Sequence, residues 1–456
     1  MEASRAKFLS TRGWGLIGGG LFCIVLAQIM GRKDLLTLGL FLFLLPLLAA
    51  LGLRFIAPKF TVYREFEPAV VEAGSTTAVD LAIASPAKLG AKVRMRETLP
   101  GRFGRSPEFS YPGRVQNTAD VGQRSSRYQY HLRSANRGQF VIGPVSAELG
   151  DAFGLSHHLR SLPGTDVLTV TPQAVELPIN VLSGARGSDG MTATRQQANP
   201  SDDDVMTREY RHGDPMRRVH WPATARHGEL MVRQEESVTT PEATILLDQR
   251  ASSFGQAEGS AHRGWEEEHP ELRSTAGFEW TVVAAISICT HLIERNFDLR
   301  MLDVLGHPGL ASSRSAPEPM VEEYAGTAGL ASIAESLAAL ELQESGTEEA
   351  FNDRLLDRLS LNRQRGPIIA LLGQLSPDQA RTLAPAIEGA TAGCAIIVSA
   401  HPEGVDEAGA ILRQAGWRVV QVDEHSSLAG AWSSFDTRPV EDLAGYYSDA
   451  QPGRRP

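Results

Sequence analysis

Two uncharged apolar runs open the chain, WGLIGGGLFCIVLAQIM over 14–30 and LLTLGLFLFLLPLLAALGL over 35–53. At about 1.5 Å per residue each reaches roughly 25–30 Å, the thickness of a bilayer's hydrocarbon core. No A-x-A cleavage pattern follows the first run, and Gly31-Arg32-Lys33-Asp34 leads directly into the second. The pattern therefore predicts a membrane hairpin of two antiparallel helices rather than a cleaved leader. From 60 to about 178 the rhythm shifts to period two, as in TTAVDLAIAS and RYQYHLRSANRG, with Gly or Pro stopping each stretch. Alternation of this kind, without a 3.6-residue period, predicts an antiparallel β-sandwich.

Residues 183–204 (SGARGSDGMTATRQQANPSDDD) are small, polar and Gly-rich, the composition of a linker. Beyond Thr240, continuous apolar runs at 243–248, 298–304, 366–373, 393–400 and 416–424 alternate with helical stretches at 279–295, 329–342, 347–361, 377–388 and 406–415. Continuous runs are what strands buried on both faces require, so this part predicts a doubly wound α/β domain with a mostly parallel sheet. The expected fold class is thus multidomain: a transmembrane hairpin (1–58), a β-sandwich (59–182), a linker (183–207), a distinctive segment (208–236), the α/β domain (237–432) and a flexible tail (433–456). Loops 249–277 and 305–328 carry no pattern and are expected to be mobile.

Charge adds an orientation. Residues 1–59 hold seven basic side chains against two acidic ones, which leaves 37 basic against 52 acidic in the rest. The outer flanks of the hairpin carry five of those basic residues and its tight loop two, Arg32 and Lys33. The positive-inside rule then predicts a two-pass protein of the cell membrane with both termini and the soluble body in the cytoplasm. Cys23, Cys289 and Cys394 lie too far apart in sequence for a C-x-x-C site or a disulfide framework, in keeping with a reducing compartment. The acidic body lacks the excess of Lys and Arg that non-specific nucleic-acid binding needs.

Within that body, REYRHGDPMRRVHWPATARHGELMVRQEE (208–236) stands out as a basic island. Between Arg208 and Arg233 six arginines face only Glu209, Asp214 and Glu229. Two readings are open: an internal network joining sandwich to sheet, the preferred one, or a surface for an anionic partner built from forked guanidinium groups. Gly213-Asp214-Pro215 reads as a turn, and Trp221 with Val219 as a packing anchor.

This segment resembles the signature of domain of unknown function 58. Arg208, Glu209, Tyr210, Gly213, Asp214, Arg217, His220, Trp221, Thr224, Ala225, Arg226, Gly228 and Leu230 stand where that family's R-E-Y-x-x-G-D-x-x-R-x-I-H-W-x-x-T-A-R-x-G-x-L pattern places them. RGQFVIGPVSAELGDAFGL (137–155) is similar to a second stretch of the family, with Ala152 in place of a usual Pro, and Val219 stands for Ile. The resemblance implies a von Willebrand factor A-like C-terminal domain and association with a MoxR-type AAA+ ATPase, and possibly with a transglutaminase-like membrane protein. Metal-binding domains of that kind place D-x-S-x-S after the first strand, whereas this chain reads Asp248-Gln249-Arg250-Ala251-Ser252. Arg250 brings a cation to a ligand position, so the site at Asp248, Arg250 and Ser252 reads as degenerate, with no metal or cofactor expected. His212, Asp214 and His220 lack a third helix-spaced ligand, Glu266-Glu267-Glu268 with His262 and His269 reads as a solvated loop, and no G-x-S-x-G, P-loop or H-E-x-x-H occurs. The expectation is a non-enzymatic, membrane-anchored adaptor; the alternative is a structural envelope protein whose sandwich binds a cell-wall component outside the cell.

Overall fold

The computed structural model describes residues 9–55, 59–85, 93–113, 124–151, 153–180, 207–211, 216, 219–233, 240–255, 272–344, 349–360, 366–399 and 406–436. Helices α1 (Thr11–Met30) and α2 (Lys33–Phe55) form the N-terminal hairpin, and both are long and apolar enough to cross a membrane. Ser10 caps α1 by accepting from the Gly13 amide, and Gly31 ends it in the left-handed conformation. The two helices touch backbone to backbone: a Cβ on Gly20 would lie 2.8 Å from the Gly39 carbonyl oxygen, and one on Gly39 2.9 Å from that of Gly20. Small residues at such a crossing are how helices pack in lipid, where no hydrophobic force drives them together.

Ten strands follow: β1 (Thr61–Glu67), β2 (Val70–Glu72), β3 (Thr76–Ser85), β4 (Val93–Glu97), β5 (Glu108–Tyr111), β6 (Arg124–Arg133), β7 (Gly138–Ile142), β8 (Val145–Gly150), β9 (His157–Leu162) and β10 (Asp166–Thr171). They form three sheets ordered β1-β3-β6, β2-β10-β7 and β5-β4-β8-β9, antiparallel except where β2 runs parallel to β10. Strand β3 serves two cores, sending Val79 into one with Phe140, Ile142 and Leu168 and Leu81 and Ile83 into another with Met95, Val145 and Leu162. A charged group is enclosed here: the Arg64 and Glu97 side chains have no exposed surface, and Arg64 Nε donates to Glu97 Oε1 at 2.7 Å. Asp166 and the Tyr130 hydroxyl complete it, so the buried charges are paired rather than stranded. Burial first, then neighbouring Glu97, pushes the Tyr130 phenol far above its ordinary range.

After this region come β11 (Thr207–Glu209), α3 (Trp221–His227) and β12 (Met231–Arg233). The C-terminal α/β region comprises β13 (Glu242–Leu247), α4 (Ala276–Ile293), β14 (Asp298–Asp303), β15 (Glu323–Tyr324), α5 (Gly326–Ala338), α6 (Asp353–Ser360), β16 (Ile368–Leu372), α7 (Pro377–Leu383), β17 (Gly393–Val398), α8 (Asp406–Gln414), β18 (Arg418–Val422) and α9 (Leu428–Ser433). Its sheet has the order β15-β14-β13-β16-β17-β18, parallel but for β15 at one edge. Alternate residues of one strand enter opposite layers. Ile245 and Leu247 join α4 and α5, whereas Leu246 joins Leu355, Leu383 and Leu412 of α6, α7 and α8.

Helix α4 is also long and apolar enough to cross a membrane, yet 67% of its apolar window is buried inside the protein, against 17% and 11% for α1 and α2. Burial, which length and composition do not report, assigns α4 to the core of the sheet.

Two corrections to the sequence reading concern segments without periodicity. The stretch 305–328, expected to be mobile, is held in place: Leu310 is fully buried, and Ser313 and Ser315 donate to the carbonyls of Ser336 and Glu335. Its fixing contacts are hydroxyl to backbone, which leave no hydrophobic rhythm. At the other end, the chain beyond 433 still contributes a buried Phe435, packed edge-on against Trp432.

The β-rich and α/β regions are joined by residues outside the arginine island. Arg137, at the turn before β7, donates to the carbonyls of Leu337 (2.6 Å), Leu340 (2.8 Å) and Ala338 (3.3 Å), and makes a two-pronged pair with Glu279 of α4. Beyond β10, the Val175 amide donates to Ser287, Leu177 is buried in the α/β core, and Trp432 Nε1 donates to the Pro178 carbonyl at 3.1 Å.

Candidate functional site

Two places in the sequence drew attention, the end of β13 and the basic island. Asp248 follows β13 and is fully buried. Its Oδ1 accepts from Arg250 Nε (2.9 Å) and from the Arg250 amide (3.1 Å), and its Oδ2 from Arg250 Nη2 (2.7 Å) and the Gly373 amide (3.3 Å). Four donors thus occupy one carboxylate. The Arg250 guanidinium also lies over the Phe351 ring, 5.3 Å from its centroid, which holds it in place. Next to it Gln249, 6% exposed, accepts from Ser312 and donates to the Gly309 carbonyl, tying this end of the sheet to the 305–328 stretch. A divalent ion needs free carboxylate and hydroxyl oxygens. The donor set does not fit one, because the Arg250 guanidinium already fills the place beside the carboxylate.

Asp303, at the end of β14, accepts from the amides of Leu305 and His307, and His307 Nδ1 lies 3.3 Å from its Oδ2. Among the described residues no group of three or more His, Cys, Asp or Glu side chains is arranged to hold a metal.

The island folds on itself. Strands β11 and β12 pair antiparallel, Tyr210 N–H donates to the Leu230 carbonyl (2.8 Å), and His220 N–H donates to that of Met231 (2.8 Å). Val219 bridges to Val232, and the two are 8% and 1% exposed, a small local core. His220 then caps α3 by accepting from the Ala223 amide through Nδ1 (3.2 Å), with Pro222 in the first turn, where its missing N–H costs nothing. Thr224 accepts from the Met231 amide (3.0 Å), and Gly228 ends the helix in the left-handed conformation. Five positions of the family pattern, Tyr210, His220, Thr224, Gly228 and Leu230, therefore hold this fold together through the backbone bonds and caps just described.

The expected packing anchor is half right. Val219 is buried, but Trp221 is 62% exposed, and Met216 (57%) and Leu230 (38%) are exposed with it. Glu209, Arg211, Ala225 and Arg226 also face solvent. Gly213, Asp214 and Arg217 lie outside the described residues, as do His262, His269 and Glu266-Glu267-Glu268, and nothing is described of the Arg208 side chain. Substituting Val232 by alanine is expected to cost about 2 kcal/mol through lost burial and a small cavity. Trp221→Ala should leave the unfolding midpoint within about 0.5 kcal/mol of wild type. Thermal unfolding of the two variants side by side checks both, and an equal loss in each would show that Trp221 is packed after all.

None of the curated proteins matches the chain. Similar solved structures include the CARDB domain of a Pyrococcus furiosus protein in complex with di-metal ions, at 14% identity over 25% of this chain and 88% of that one, TM-score 0.17. Another is the alkylpurine DNA glycosylase AlkC of Pseudomonas fluorescens bound to DNA containing an abasic site analogue, at 16% identity over 30% of this chain and 39% of that one, TM-score 0.16. A glycosyl hydrolase family 2 member from Bacteroides cellulosilyticus covers 80% of this chain and 39% of its own, at 10% identity and a TM-score of 0.17. Likenesses this weak carry no argument about fold or activity. The family described as "Protein of unknown function DUF58" matches residues 206–268, which supports the family assignment on the segment that holds the β11–α3–β12 module.

Proposed function

We propose that this protein is a membrane-anchored, non-enzymatic adaptor whose β11–α3–β12 module is its docking surface. The observation that carries the reading is the division of labour inside that module. Val219 and Val232 are buried in it while Trp221, Met216, Leu230 and Arg226 are left in solvent. Exposed aromatic and guanidinium groups on a small rigid scaffold are the residue types that dominate protein interfaces. The carboxylate best placed for chemistry, Asp248, is meanwhile saturated by its own neighbours.

In this reading the three β-sheets act as one sandwich, the α/β region is a von Willebrand factor A-like domain with a sealed metal position, and the partner is a MoxR-type AAA+ ATPase. A transglutaminase-like membrane protein is a further candidate. The soluble body lies in the cytoplasm, as the charge bias of the hairpin flanks indicates.

Capture of the tagged full-length protein from solubilised membranes tests the reading. The AAA+ ATPase is expected to co-purify with wild type and to be lost with Trp221→Ala and Arg226→Ala, both of which should fold normally because neither side chain is buried. Retention by both variants would move the surface elsewhere, and failure to recover any AAA+ ATPase would count against the adaptor reading. A reporter fused after Pro456 gives the topology. An external signal would favour the envelope alternative.

A further inference from the structure

We propose that the turn Phe153–Ser156, held by Asp151, and the adjoining edge strand β9 form a lipid-contacting face that seats the β-rich region on the headgroup layer of the bilayer holding α1 and α2. The argument starts from where α1 begins. Its 20 residues span about 30 Å, the whole hydrocarbon thickness, so its cap, Ser10, stands at headgroup depth. Ser10 is bonded directly to the loop: its amide donates to the Leu155 carbonyl (2.9 Å) and its hydroxyl to that of Gly154 (2.7 Å), while Leu9 bridges to Ser156. The approach is as close as atoms allow, since a Cβ on Gly13 would lie 2.4 Å from the Leu155 oxygen. No spacer separates the loop from the membrane helix, and α2 is in contact with β9.

The loop is rigid. Asp151 accepts from the amides of Phe153 (2.8 Å), Leu155 (3.0 Å) and Ser156 (2.8 Å) and from the Ser156 hydroxyl (2.8 Å). Burial alone would raise this carboxyl, but those bonds outweigh it and hold it below the ordinary carboxylate range. Its charge is therefore consumed inside the turn.

What the loop offers outward is apolar. Phe153 is 66% exposed and Leu159 on β9 55%, the latter between the exposed His157 and Ser161, and Trp14 in the first turn of α1 is 63% exposed. A lone exposed Phe or Leu on a soluble surface needs no explanation. Here the bonds from Ser10 to Gly154 and Leu155 hold Phe153 near the start of a membrane-length helix, where aromatic residues partition into the membrane interface. Arg12 and Lys59, exposed at the same end of the hairpin, place cations at phosphate depth.

Spin labels on the full-length protein in vesicles of phosphatidylcholine and phosphatidylglycerol test this, in a Cys23→Ser background with the buried Cys289 and Cys394 retained. Labels go at Phe153→Cys and Leu159→Cys, at Met320→Cys as a solvent reference (78% exposed) and at Phe22→Cys on the hairpin (67% exposed). The reading is the ratio of collisions with oxygen, which concentrates in lipid, to those with a nickel chelate, which stays in water. The ratio at 153 and 159 is expected to exceed that at 320 by several-fold and to lie below that at 22. Ratios at 153 and 159 equal to that at 320, with a high ratio at 22, would overturn the lipid-contacting face and leave the anchor standing. A low ratio at 22 as well would overturn both.

Discussion

Arg137→Ala is expected to destabilise the protein by about 3–5 kcal/mol, the usual cost of leaving a buried charge without its partner. Arg137 is 4% exposed and satisfies three carbonyls at the C-terminal end of α5 together with the Glu279 carboxylate. Without it, those carbonyls and Glu279 would lose their guanidinium donor, while the Ser274 hydroxyl would still donate to Glu279. Arg137→Lys should recover little, since an ammonium cannot reproduce the forked donation along two directions. Chemical denaturation of the full-length protein in detergent measures the loss. A loss under about 1 kcal/mol in Arg137→Ala would mean that the two regions are held chiefly by other contacts, among them those of β10 with α5 and of the 172–180 segment.

The second large effect is on pH. His291 of α4 is 4% exposed, faces Trp432 edge-on, and its Nε2 is buried without a hydrogen-bond partner among the described residues. Burial first, then the neighbouring Arg295, lowers its pKa from 6.5 to about 4, against a weaker opposing pull from the Leu177 backbone. The unfolded chain therefore takes up a proton near pH 6.5 that the folded protein refuses until about pH 4. Stability is full above pH 6.5 and is lost as pH falls through that window, by about 3 kcal/mol in all. Carboxylates titrate in the same range, so the comparison is with His291→Leu. The stability difference between wild type and variant should shift by that amount between pH 7.5 and 4, and parallel profiles would sink the assignment.

Much of the fold was legible along the chain because its signals are local. The strands β13, β14, β16, β17 and β18 coincide with the continuous apolar runs, since a parallel strand covered on both faces has no room for polar alternation. The signature segment was legible too, and the structure gives several of its residues a backbone-capping reason. Its arginines were not placed by the sequence, because composition counts charges without locating them. Arg226 faces solvent, whereas Arg137, which joins the two regions, lies outside the island in the RGQFVIGP stretch. His291 and Glu279 sit inside an apolar helix where nothing in the sequence distinguishes them.

By itself, then, the sequence determined the apolar hairpin, the order of β-rich before α/β region, the family segment and the arginine beside Asp248. Tertiary structure alone decided which of three membrane-length helices is enclosed in protein, that Arg250 folds back onto Asp248, that Trp221 is left in solvent and that the loop at 151–156 closes on Ser10. The reason is one of range. Periodicity records which face of a single element is apolar, but the burial of a lone charge, ring or loop is set by chain arriving from as far away as the 254 residues between Pro178 and Trp432.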